Sequence, residues 1–162
     1  MRDAYGFPLL IRACGKLADS GFKPSVLLVI SGDEDPITYE RVHAAIAETR
    51  GTVSVKIHHE LPRDEVLGAV RAADLLVRPT RFDGDSLTIH EAIQLGTPVV
   101  ASDAAPRPPG VHIHITDDSD SLRDIMIQAI RSPAPEPSTL RDIDPVDRLE
   151  RALQENAVNW SV

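Results

Sequence analysis

Among 162 residues there is a single cysteine, Cys14, so no intramolecular disulfide can staple the chain. Such sparing use of cysteine suits a reducing compartment, and a cytoplasmic location is the expectation. No apolar run approaches the ~20 residues that a membrane-spanning helix needs. The opening residues, Met1 to Gly6, lead into no signal-type apolar core. The expectation is a soluble protein with no transmembrane segment, for which peripheral association with a membrane stays open. Lysine is scarce too: only Lys16, Lys23 and Lys56 occur. With 25 acidic residues against 17 lysines and arginines, the formal net charge is −8. Nucleic acid is therefore not an expected partner, because a general binder needs a cationic surface to displace counterions from phosphates.

Glycine spacing excludes more. No two of the nine glycines lie within two residues of each other, so the dinucleotide fingerprint G-x-G-x-x-G occurs nowhere and a nicotinamide dehydrogenase is disfavoured. No Gly-Lys-Ser/Thr triplet exists, which removes the phosphate loop of ATPases and GTPases. No lysine follows Lys56, which weakens a receiver-domain reading.

What is present is ordinary globular material, 42% hydrophobic and 26% charged, enough for one compact core. Leu9, Leu10, Ala13, Cys14 and Leu17 recur at helical spacing, and Gly21 should end that helix. Val26 to Ile30 is a continuous apolar run closed by Ser31-Gly32-Asp33, the signature of a strand buried on both faces of a parallel sheet. Val42, Ala45 and Ile46 mark a second helix after Pro36, and Val53 to Ile57 alternates like a second strand. A helix from Pro62 or Arg63 buries Val66, Leu67 and Val70, and Asp74 to Val77 is a third strand, stopped near Pro79. Then come a loop from Thr80 to Asp85, a helix from Ser86 to Leu95 stopped by Gly96, and a strand from Pro98 to Ala101. A fifth strand, Val111 to Ile115, and a helix carrying Leu122, Ile125, Met126, Ala129 and Ile130 complete the unit.

Strands alternating with helices give an α/β fold: a Rossmann-like parallel sheet with helices on both faces. The domain is expected over residues 1–131, with a proline-rich linker over 132–143 and a C-terminal amphipathic helix and tail over 144–162, where Val146, Leu149 and Leu153 form the stripe.

Ligands of open α/β sheets bind outside the carboxyl ends of the strands. The loop and helix from Pro79 to Gly96 supply what an anion needs there: free N–H groups at Ser86, Leu87 and Thr88, the helix dipole, and Gly84 for close backbone approach. Asp83 and Glu91, eight residues apart, can flank the anion and accept hydrogen bonds from sugar hydroxyls. Donors for phosphate beside acceptors for hydroxyls describe a nucleotide-sugar site. Taken alone, Asp83 and Asp85 also suit an ordinary helix-capping loop, and Glu91 a solvent-facing helix position.

The segment resembles the C-terminal, donor-binding domain of the GT-B retaining glycosyltransferases of family 4 (group 1). Their motif reads like Glu-Gly-Phe-Gly-x-x-x-x-Glu-Ala-x-x-x-Gly-x-Pro-Val; Asp83 stands at the first acid and Glu91 at the second, with Gly84, Ala92, Gly96, Pro98 and Val99 in place. Supporting pieces are Ser31-Gly32-Asp33 after a strand, Leu61 to Val66 leading into a helix, and Ala72 to Pro79.

The resemblance implies an α/β half of a GT-B fold and transfer of a hexose-type sugar, with retention, from a UDP- or GDP-linked donor. The acceptor would be a glycan, lipid or small molecule, as in polysaccharide biosynthesis, and the chain would be incomplete alone. It also implies a partner, an N-terminal acceptor domain in cis or a separate subunit. Asp83 would contact the transferred sugar and Glu91 the ribose; Ser86, Leu87 and Thr88 would hold the distal phosphate. Gly32 and Gly84 would line the donor, with Asp85 in the same loop. Arg78, Arg81 and Arg107 are the nearby basic candidates. No cofactor beyond the donor is implied, and no metal. His112 and His114 share one side of a strand and His58-His59 precede Glu60, but no motif-spaced ligand joins them.

The chain departs from the family at several positions. Asp83 is one methylene shorter than the usual glutamate, while Asp85 and Ser86 take the family's aromatic and glycine places. An anion at Asp85 would oppose a diphosphate unless it caps the helix and points away. Family domains begin with a strand ending near an arginine, with a lysine a few residues later. This sequence starts after the place of that strand, and Tyr5 stands where the lysine would align. The alternatives to a transferase half are a non-catalytic nucleotide or sugar-phosphate binding domain, a subunit-assembly domain, and a sugar-nucleotide epimerase of the same architecture.

Overall fold

The computed structural model describes residues 3–32 and 35–132. The expected linker and C-terminal helix, with Val146, Leu149 and Leu153, lie outside the described residues. A single 3-10 turn, Asp3–Tyr5, leads into α1, Phe7–Asp19. Then follow β1 (Ser25–Ile30), α2 (Pro36–Glu48), β2 (Ser54–His59), α3 (Arg63–Ala72) and β3 (Leu76–Arg78). The chain continues through α4 (Leu87–Leu95), β4 (Val99–Ser102), β5 (His112–His114) and α5 (Ser119–Arg131). Each agrees with the expected element to within a few residues, and local chemistry explains the ends. Asp35 caps α2 by accepting from Thr38 N–H at 3.0 Å, with Pro36 in the first turn. Asp118 caps α5 through the N–H groups of Asp120 and Ser121, both at 2.9 Å. Gly96 ends α4 in the left-handed conformation, φ 77°.

The helices form two layers. On one face α1 packs against both α2 and α5 over a core of Ile11, Ala13, Leu28, Ile30, Val42, Val100 and Leu122. On the other, α3 packs against α4 over Val70, Ile89, Ala92, Val99 and Ala101. Cys14 belongs to the first core; burial pushes its thiol pKa up to about 12, as expected of an inert packing residue.

All strand pairings are parallel, but the strands form two separate groups, β1-β2 and β3-β4-β5, with no hydrogen bonds joining β1 to β3. This differs from the expectation that Val26 to Ile30 is buried on both faces. Leu27 is 42% exposed, whereas all four residues of β4 are buried. β4 has a strand on each side and helices above and below; β1 has a partner on one side only.

Candidate functional site

Because β3, β4 and β5 are parallel and in register, Arg78 pairing with Ala101 and Ser102 with His114, their carboxyl ends open on one edge. Two loops rise from that edge, residues 79–86 between β3 and α4, and 103–111 between β4 and β5. They meet at Asp83. Its carboxylate accepts from Arg78 Nε and Nη2 at 2.9 and 3.1 Å, from Arg107 Nη1 at 2.8 Å, and from Thr80 Oγ1 at 3.1 Å. The Gly84 N–H adds a fifth bond at 3.1 Å. Arg107 is anchored from the opposite side, its Nε donating to Ser102 O at 3.0 Å and its Nη2 to Ser102 Oγ at 3.2 Å. Ser102 Oγ donates in turn to Thr80 O at 2.6 Å.

The side chains of Asp83 and Arg107 are only 7% and 1% exposed. Burial works against ionisation of Asp83, but the hydrogen bonds and charges of Arg78 and Arg107 outweigh it and bring its pKa down to about 2. Two guanidinium groups around one carboxylate leave one net positive charge at the strand ends. Arg107 is thus the most buried cation of the cluster, and Thr80 and Ser102 complete its seat. Sequence reading singled out Arg107 only as nearby, and missed Thr80 and Ser102.

Asp83 is therefore occupied by arginines, which spacing alone could not disclose. Arg81 turns the other way, to Asp3 and to Asp117, the latter at 2.6 Å. Asp85 does not cap α4; its Oδ1 lies 2.5 Å from His90 Nε2, one turn along the helix. Ser86 is the N-cap residue in extended conformation, yet its side chain makes no capping hydrogen bond. The first-turn amides at Leu87 and Thr88 are thus not satisfied by Ser86, and a helix start has no backbone partners for them. A Cβ built on Gly84 meets nothing within 4 Å, so no packing within the protein requires glycine there. Gly32 follows β1 in the left-handed region, φ 78°.

Glu91 projects from the second turn of α4 and is 13% exposed in its side chain. Arg63 Nη2, from the start of α3, comes within 2.5 Å of Glu91 Oε1. The approach lacks hydrogen-bond alignment, so Oε1 is a buried oxygen with an ionic neighbour but no hydrogen bond. His114, 1% exposed, approaches Ile115 O through Nδ1 at 2.8 Å, while its Nε2 has no partner. Burial holds its pKa below the ordinary value, which favours the neutral ring. Among the described residues no group of three or more His, Cys, Asp or Glu could hold a metal ion. No described helix is long and apolar enough to cross a membrane.

Parallel strands flanked by two helix layers, with a polar cluster and a helix start at their carboxyl ends, define a Rossmann-like α/β fold. The family described as glycosyl transferases group 1 matches residues 1–130, and the chain belongs to that family. Among solved structures it is similar to sucrose-phosphate synthase from Thermosynechococcus elongatus, with 20% identity and a TM-score of 0.69, over 85% of this chain and 36% of that one. It is also similar to a UDP-forming α,α-trehalose-phosphate synthase from Burkholderia xenovorans in complex with glucose-6-phosphate, with 17% identity and a TM-score of 0.67, over 81% and 34% of the two chains. A third is the corresponding enzyme from Burkholderia vietnamiensis, at 13% identity, TM-score 0.67, over 81% and 35%. These likenesses give the fold, one Rossmann-like half of a GT-B architecture, and the chain spans about a third of the length of each of these structures. No curated protein matches the sequence.

Proposed function

We propose that this chain is the donor-binding half of a retaining glycosyltransferase, holding a UDP- or GDP-linked hexose at the carboxyl edge of β3 and β4. The observation that carries the reading is Glu91 Oε1, a buried carboxylate oxygen that is ion-paired with Arg63 at 2.5 Å but makes no hydrogen bond. Arg63 offsets its charge, and a ribose hydroxyl donating to it would add the aligned hydrogen bond that Arg63 does not make. The distal phosphate would sit on the amides of Ser86, Leu87 and Thr88, where the helix dipole favours an anion. Arg107 and Arg78 would stabilise charge developing on the departing diphosphate, in place of a divalent metal. Asp83 holds those guanidinium groups in position and could reach a sugar hydroxyl only by exchanging one of its arginine bonds.

The acceptor would be a glycan, lipid or small molecule, bound by an N-terminal domain in cis or a separate subunit. Transfer would occur between the halves in the cytoplasm, and the isolated chain would be a weak catalyst. A second reading, a non-catalytic nucleotide or sugar-phosphate binding or assembly domain, draws on Asp83, which leaves the edge with a single net positive charge. Thermal denaturation separates the donor reading from the assembly one. UDP or GDP at millimolar concentration should raise the melting temperature, and Glu91→Ala should abolish the rise. If no nucleoside diphosphate moves the melting temperature, the donor reading fails and assembly is favoured. If the shift survives Glu91→Ala, binding lies elsewhere.

A further inference from the structure

His114 ends β5 in register with Ser102 of β4, and in-register residues of parallel neighbours turn their side chains to the same face. On that face, two residues earlier in β4, Val100 shares a core with Leu122 and Met126 of α5. The imidazole therefore lies on the side covered by α5, beside the serine that seats Arg107. Ser102 O accepts from Arg107 Nε at 3.0 Å and Ser102 Oγ from Nη2 at 3.2 Å, and both Ser102 and His114 are fully buried. The ring's proton can be placed from its neighbour. A carbonyl oxygen only accepts, so Nδ1, 2.8 Å from Ile115 O, carries the hydrogen and Nε2 is the bare nitrogen. Nε2 is buried and has no hydrogen-bond partner among the described residues.

A second proton, on Nε2, would bring a charge and a donor into a place that offers no acceptor. The acids around it are already engaged. Asp103, at the end of β4, accepts from Thr116 N–H and Oγ1 at 2.9 and 2.5 Å, and Asp118 caps α5 through the N–H groups of Asp120 and Ser121. Asp117 pairs with Arg81, and Asp120 with Lys16 and Arg123. Arg107 repels an imidazolium, and the positive end of the α5 dipole does the same. Burial is the largest effect, and the Ile115 carbonyl, Asp103 and Asp118 offset it only in part. A histidine whose pKa falls on folding gives stability that is complete above its unfolded pKa, about 6.5, and is lost as the pH drops through that value towards the folded one.

The segment that carries Arg107 is tied to the same spot. Residues 103–111 leave β4 where Asp103 N–H donates to His114 O at 3.0 Å, and Arg107 then reaches back to Ser102. We propose that His114 is a proton-operated latch on the Arg107 seat. At neutral pH the uncharged ring packs beside Ser102 and holds the 103–111 loop in place. In mildly acidic solution the protonated ring turns out to water, the loop loosens with it, and Arg107 is withdrawn from the carboxyl edge. The latch needs no ligand; only its use, release of a bound diphosphate on acidification, rests on the donor reading above.

NMR of the 162-residue chain between pH 7.5 and 5 tests this, a range in which Asp83, with its pKa at about 2, stays ionised. The carbon-bound ring protons of His114, identified by their loss in His114→Gln, should titrate well below the ordinary value of about 6.5. Exchange protection of the Asp103 and Thr116 amides and of the Arg107 Nε–H should drop by up to about tenfold per pH unit, the most that one proton can give. In His114→Gln, which keeps a polar side chain that does not titrate, their protection should stay level. An equal drop in His114→Gln overturns the proposal, because another group then carries the effect. So does an equal drop at Val42, in the middle of α2, which means unfolding of the whole domain. Where His114→Gln fails to fold, a fragment of the comparison suffices. A ring in the unmodified chain that titrates at or above the ordinary value, or protection that is the same at pH 7.5 and 5, refutes the latch. None of these readouts involves nucleotide, so the latch and the donor reading stand or fall separately.

Discussion

Replacing Asp83 by alanine removes the carboxylate that neutralises Arg107, whose side chain is 1% exposed, and Arg78, which is 27% exposed. Five hydrogen bonds to Asp83 disappear together. Arg107 keeps its bonds to Ser102 but becomes a buried cation with no counter-charge. Breaking a buried pair from one side costs about 3–5 kcal/mol. In a domain of this size that is a fall in melting temperature of roughly 6–20 °C. Removing both charges should recover much of the loss, so Asp83→Ala with Arg107→Met should melt above Asp83→Ala alone. The same cluster predicts acid sensitivity. The folded pKa of Asp83, about 2, lies below the ordinary 3.8, so its contribution is complete above about pH 4 and is lost as the pH falls towards 2. Denaturation by heat or urea, followed by circular dichroism at pH 7 and across pH 2–5, reads both effects. A change of less than about 1 kcal/mol for Asp83→Ala would place it among exposed ion pairs and refute the reasoning.

Two other perturbations bear on packing. Gly6→Ala should lower stability by more than ~1 kcal/mol in the same melts, because Gly6 has φ 67° and an added Cβ would strike Pro79 O. The Cys14 thiol, buried and with its pKa raised to about 12, should resist a thiol reagent at pH 8 until denaturant is added. Rapid labelling of the native protein would contradict its place in the core.

Local signals made the elements legible. The stripe of Leu10, Ala13, Cys14 and Leu17 marked the face of α1, Pro36 its neighbour's start, and Gly96 the end of α4, while the Asp35 cap on α2 went unread. The Pro79 to Val99 pattern made the loop and helix start at the carboxyl end of β3 legible, because loop, helix start and strand follow one another in the chain. What escaped was tertiary. Arg107 reaches Asp83 from 24 residues away, through the loop after β4, and Arg63 reaches Glu91 from the start of α3. No spacing rule encodes either pair, since each depends on how two loops or two helices dock. The sheet break escaped for a similar reason: an apolar run such as Val26 to Ile30 states a need for burial but not which strand meets it.

A donor half must bind a nucleoside diphosphate at the edge of β3 and α4. Isothermal titration of UDP and of GDP into the protein, and into Glu91→Ala, measures this most directly. One of them should give saturable heat with a dissociation constant near the millimolar range, about −4 kcal/mol of binding, and Glu91→Ala should lose it. No heat from either nucleotide at millimolar concentration, or equal binding by Glu91→Ala, would contradict it.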